Sequence, residues 1–147
     1  MAKQEINIMN LPAGLSKDDF IELPELKSVK SWFTWAGIVG IVSGVLGFAA
    51  FGQVAEYEAQ GYVVDMRFYG AFAALSVVSL VLGIRLLMKK TNSRAYALAA
   101  VGVIMAVAAV ASGGSIGVGF IATILSVIGA RKIDKLWNEY QAAGRHL

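Results

Sequence analysis

Cysteine is absent from the 147 residues, which excludes disulfides, thiolate metal sites and thiol nucleophiles. Histidine occurs once, as His146 beside the last residue, so a zinc or haem centre built by this chain alone lacks its ligands. Proline occurs only at Pro12 and Pro24. Charge is scarce as well, at 16% of residues, and it is bunched: none falls from Ser31 to Ala55, from Phe68 to Ile84, or from Ala95 to Ala130. With 57% hydrophobic residues, the chain is too apolar for an ordinary soluble domain and reads as a membrane protein.

The uncharged stretches set the spans. A hydrocarbon core of about 30 Å needs about 20 helical residues, so the first stretch makes one helix over residues 32–52. The second makes a helix over 68–88 only by running through Arg85. The third, 36 residues long, would make a helix of about 54 Å and must fold back at the glycine-rich "ASGGSIGVG" of residues 111–119. Helices over 95–111 and 116–133 follow. The expectation is an all-α membrane protein with four transmembrane helices in an up-and-down bundle. A closed barrel is excluded because no segment alternates apolar and polar residues.

Three regions result: an N-terminal arm of residues 1–30 with a short amphipathic helix, a membrane domain of residues 31–133, and a tail of residues 134–147. Ser16 ahead of "KDDF" offers an N-cap with acids in the first turn, for a helix running to Glu22 and ending near Pro24. The first apolar run starts too late, follows acids and is too long for a secretory signal, so it is expected to be retained as a span.

Basic residues mark the orientation. Lys27 and Lys30 precede the first span, Lys89, Lys90 and Arg94 separate the second from the third, and Arg131, Lys132, Lys135 and Arg145 follow the fourth. The loop after the first span carries Glu56, Glu58 and Asp65 against a single Arg67. The positive-inside rule therefore puts both termini in the cytoplasm, as in a bacterial cytoplasmic membrane. Trp32, Phe33, Trp35, Tyr96, Trp137 and Tyr140 fall near the inner boundary, and Tyr57, Tyr62, Phe68 and Tyr69 near the outer one.

An internal echo bears on Arg85. "VLGIRLLMK" at 81–89 aligns with "VIGARKIDK" at 127–135, as two duplicated helical hairpins would. Arg131 marks a span end, so Arg85 in the matching place reads as an anchor whose long stem carries its charge to the headgroups. The same anchoring role is assigned to Lys89, Lys90, Arg94, Arg131, Lys132, Trp32, Trp35 and Trp137. The other reading makes Arg85 a working charge, but no acid inside the spans can pair with it, so a partner carboxylate has to come from another subunit.

Catalytic chemistry is missing. Ser43, Ser76, Ser79, Ser112, Ser115 and Ser126 lack an activating base by any sequence pattern, and "GSIGVG" at 114–119 lacks the strand and the acid of a dinucleotide loop and the pore helix of a filter. No catalytic, cofactor or metal residue is assigned, and nucleic-acid binding is not expected because the basic residues sit at span ends. What abounds is small residues at helical spacing: Ala36, Gly40 and Gly44 in one row, Ser43 and Gly47 in the next, then Gly70 with Ala74, Ser79 with Gly83, and Gly102 with Ala106. Such rows let helix backbones approach closely in lipid. The expected function is a non-enzymatic accessory or scaffold subunit that packs against other membrane proteins. The competing expectation is a small homo-oligomeric channel or carrier with its pathway between copies.

Overall fold

The computed structural model describes residues 6–111 and 116–146. Every regular element among them is helical: α1 (Lys17–Glu22), α2 (Lys27–Gly52), α3 (Val54–Ala59), α4 (Met66–Met88), α5 (Asn92–Ala111) and α6 (Gly119–Ala142), with 3-10 turns at Ile8–Asn10 and Pro24–Leu26. Local chemistry explains most of the boundaries. Ser16 caps α1 by accepting from the Asp19 amide at 3.2 Å, with Asp18 and Asp19 favoured by the helix dipole in the first turn. Pro24 holds Leu23 extended, so α1 stops there. Asp65 caps α4 by accepting from the Arg67 amide at 3.0 Å. Gly144, at φ +70°, closes α6 by letting the Arg145 amide return to the Tyr140 carbonyl at 3.2 Å.

The four long helices pack in a ring, α2 between α4 and α6, and α5 between α6 and α4. Only residues 89–91 separate α4 from α5, which makes those two antiparallel neighbours. The α2–α4 seam is the closest. A Cβ on Gly83 would lie 2.8 Å from the Gly37 carbonyl oxygen, and one on Gly44 would lie 2.6 Å from that of Ser76. Ser79 Oγ donates to the Gly40 carbonyl at 3.0 Å across the same seam. Between α5 and α6, Thr123 Oγ1 donates to the Ala99 carbonyl at 3.0 Å.

Among the described residues, three helices are long and apolar enough to cross a membrane: one within residues 24–59, which contains α2, and then α4 and α5. Most of their apolar surface points outward, as Val45, Leu46, Val78, Val81, Ile104 and Val107 show. A patch of that size would drive association in water, whereas lipid satisfies it, so this is an integral membrane protein.

The fourth expected span differs. Rather than covering 116–133, its helix begins at Gly119 and runs unbroken to Ala142. Every 18-residue window in α6 contains Arg131, Lys132, Asp134 and Lys135, so α6 has no 18-residue stretch as poor in charge as those of α2, α4 and α5. No glycine or proline interrupts residues 131–142, hence the helix continues where the charges begin. The loop after α2 holds the additional short helix α3. The tip of the expected turn, residues 112–115, with Ser112 and Ser115, lies outside the described residues.

Candidate functional site

The densest polar arrangement lies where the chain ends meet, around Asp134 on α6. Its Oδ1 accepts from Lys17 Nζ at 2.7 Å and from Asn92 Nδ2 at 2.6 Å, and its Oδ2 accepts from the Tyr96 hydroxyl at 3.0 Å. Asn92 Nδ2 also donates to the Ala130 carbonyl at 3.2 Å. One carboxylate thus joins the arm, the start of α5 and the middle of α6. Burial pushes the Asp134 pKa up, but the hydrogen bonds from Lys17, Tyr96 and Asn92 and the Lys17 charge together outweigh it and hold the carboxyl below its ordinary value.

The arm is fastened to the same end. Tyr140, fully buried, donates its hydroxyl to the Pro12 carbonyl at 2.7 Å and accepts from the Leu15 amide at 3.2 Å. The Arg145 guanidinium donates to the Leu11 carbonyl, and the Gly14 amide returns a bond to the Arg145 carbonyl at 2.7 Å. Beneath these bonds Phe20 packs against Trp137 and Tyr140, with ring centroids 5.2 and 5.0 Å away. Leu11, Ile21, Leu26 and Ile133 complete an apolar core continuous with that of the bundle. Among the described residues, three buried polar atoms lack partners: Asn92 Oδ1, Ser126 Oγ and Arg145 Nε.

The small residues separate into two groups. Ala36, Gly40, Ser43, Gly44, Gly83, Gly102 and Ala106 are buried between helices, with Gly47 half-buried against Ser76. Gly70 and Ala74 are not: Ala74 is exposed, and a Cβ on Gly70 would meet nothing within 4 Å. The two glycines of the internal echo both abut α2, Gly83 against Gly37 and Gly129 against Trp32 and Phe33.

Arg85 is exposed in the last turn of α4 and does not enter the bundle. Arg94 caps the end of α4, its Nη1 donating to the Arg85 carbonyl at 2.7 Å and the Lys89 carbonyl at 3.4 Å, while Lys90 Nζ donates to the Leu87 carbonyl at 3.4 Å. Lys132 lies over the Trp32 ring at 5.3 Å. Lys89 and Arg131 are exposed, as is Trp35. Trp137 instead turns inward, stacked on Tyr140 with 5.4 Å between centroids. The basic and aromatic residues therefore collect at the end of the bundle that carries the termini.

Gly37, Asn92 and Asp134 are structural centres that sequence patterning did not single out. Gly37 stands three residues from Gly40, a spacing that could have suggested it. Among the described residues, no three His, Asp or Glu side chains converge as a metal site would require. Comparisons with protein-family models, curated proteins and solved structures each return no match.

Proposed function

We propose that the protein is a four-span subunit of a bacterial cytoplasmic membrane, with both termini cytoplasmic. It would serve as a non-enzymatic accessory or scaffold that packs against other membrane proteins in a larger complex. In this reading residues 116–133, which include the first part of α6, are the fourth span: they carry no charge before Arg131, and Ile121 and Ile124 are exposed as the lipid-facing residues of α4 and α5 are. Arg131, Lys132 and Trp32 then mark its inner boundary.

The observation that carries the functional reading is the bundle interior. Helix backbones abut at Gly37–Gly83 and Gly44–Ser76, and no Asp, Glu, Lys, Arg or His among the described residues is buried there. A lone copy so built offers no relay for protons and no polar lane for a solute, which leaves its surfaces to do the work. The second reading, a channel or carrier between copies, is favoured by Arg85, whose side chain is exposed on the outside of α4 without a partner among the described residues.

The native mass of untagged protein, extracted from its own membrane in mild detergent, separates the two. Stoichiometric chains of other proteins that stay bound through a second purification support the scaffold. A discrete particle of this chain alone overturns it and moves flux assays on Arg85→Ala to the front.

A further inference from the structure

Beside the Asp134 junction, α5 and α6 leave an open basin of about 680 Å³. Arg131, Lys135 and Glu139 line it at intervals of four, so they form one ladder on α6 with a rise of about 6 Å per step. The Asp134 wall is already neutralised by Lys17 and by its two further donors. The ladder is not. The Arg131 side chain has no hydrogen bond or ion pair among the described residues, and Lys135 reaches Glu139 only at 4.0 Å, with both side chains largely in solvent.

The signs are ordered. Moving away from the apolar half of α6, the ladder reads cation, cation, anion. Below it Ile124 on α6 and Val103 on α5 are exposed and offer a path for acyl chains. A phospholipid lying there presents its phosphate level with the two cations and any amine beyond it. We propose that the basin binds the head group of a zwitterionic phospholipid of the phosphatidylethanolamine class, with phosphate on Arg131 and Lys135 and the primary ammonium on Glu139. Charge-assisted hydrogen bonds of both signs distinguish this head from its neighbours. A glycerol head gives Glu139 no cation, and a choline head gives it no N–H donor.

The inference rests on the four-span reading, in which this end of α6 meets the headgroups. Its test is native mass spectrometry of the full chain released from detergent with phosphatidylethanolamine, phosphatidylglycerol or phosphatidylcholine of matched chains. One ethanolamine lipid is expected to bind about tenfold more tightly than the others, equivalent to about 1.4 kcal/mol. Glu139→Gln should erase that preference and Arg131→Gln should weaken all three lipids, whereas Arg67→Gln, at the opposite end of the bundle, should change neither. Equal retention of the three lipids, or a preference that survives Glu139→Gln, overturns the site. Protein recovered outside the membrane fraction overturns the span reading as well, whereas membrane-integrated protein without head-group preference overturns only this inference.

Discussion

Replacing Gly44 by alanine should loosen the α2–α4 seam, and the size of the effect follows from the backbone. The new Cβ would lie 2.6 Å from the Ser76 carbonyl oxygen and 2.9 Å from the Leu80 nitrogen, where ordinary contact begins at 3.4 Å. Both obstacles are backbone atoms of a packed helix, so relief requires α2 and α4 to part locally by about 0.8 Å, the difference between 3.4 and 2.6 Å. A gap of that size forfeits about a quarter to a half of each contact's attraction. With on the order of 40 atom pairs around Gly44, each worth about 0.1–0.2 kcal/mol, the loss is about 1–4 kcal/mol. Alanine's better helix propensity offsets about 0.8–1.0 kcal/mol of it, leaving a net destabilisation near 1.5 kcal/mol. Lipid adds no hydrophobic gain for the extra methyl between helices. Gly70→Ala is the matched control: its Cβ meets nothing within 4 Å, so the same change should be neutral or stabilise by up to about 1 kcal/mol. Unfolding by SDS mole fraction in mixed micelles, followed through tryptophan fluorescence, reads both variants. A Gly44→Ala protein as stable as the parent, or a Gly70→Ala protein that loses as much, would refute the close-seam argument.

Tyr140→Phe keeps the packing on Phe20 and Trp137 but removes the bonds to Pro12 and Leu15, so limited proteolysis should show the arm opening more often, at a loss of about 1–2 kcal/mol. Because the Asp134 pKa is lowered in the folded protein, its contribution is present above the unfolded carboxylate value of about 3.9 and declines as pH falls through the folded one. Trp137 fluorescence should therefore stay constant from neutral pH down to about pH 4 and change below it, and Asp134→Asn should abolish that acid limb. Arg85→Ala should leave native mass and ion flux unchanged while lowering the membrane-inserted fraction, because the side chain is exposed outside the bundle; lost flux with intact assembly would assign it to a pathway instead.

The charge-free stretches made three apolar helices legible: those expected at 32–52, 68–88 and 95–111 appear as Lys27–Gly52, Met66–Met88 and Asn92–Ala111. Each starts a few residues early, because charge limits a span without ending a helix. The same physics hid the length of α6, whose charged second half carries good helix formers up to Gly144. Gly37 escaped notice because rows spaced by four pass through Ala36, Gly40 and Gly44, whereas the face turned toward α4 includes Gly37 and Gly44, seven apart. Which face meets which neighbour is a tertiary fact. Asp134 was illegible for a similar reason: its partners Lys17 and Asn92 lie 117 and 42 residues away, and local patterning sees only an acid in a basic tail.

Under the proposed membrane placement, the two ends of the core are held by different forces. Within lipid there is no hydrophobic drive between helices, so the seams depend on closeness and on hydroxyl-to-carbonyl bonds such as Ser79 to Gly40 and Thr123 to Ala99. At the cytoplasmic end water is present, and fully burying a side chain such as Phe20 contributes about 1.5–3 kcal/mol. The arm is therefore a docked wall rather than a free tether, and a partner that displaced it would have to expose Leu11, Phe20, Ile21 and Tyr140 together. Docking onto its outer side requires no such exposure. That side presents Asp18, Asp19, Glu22 and Glu25, all exposed, on backbone already ordered by Tyr140 and Asp134.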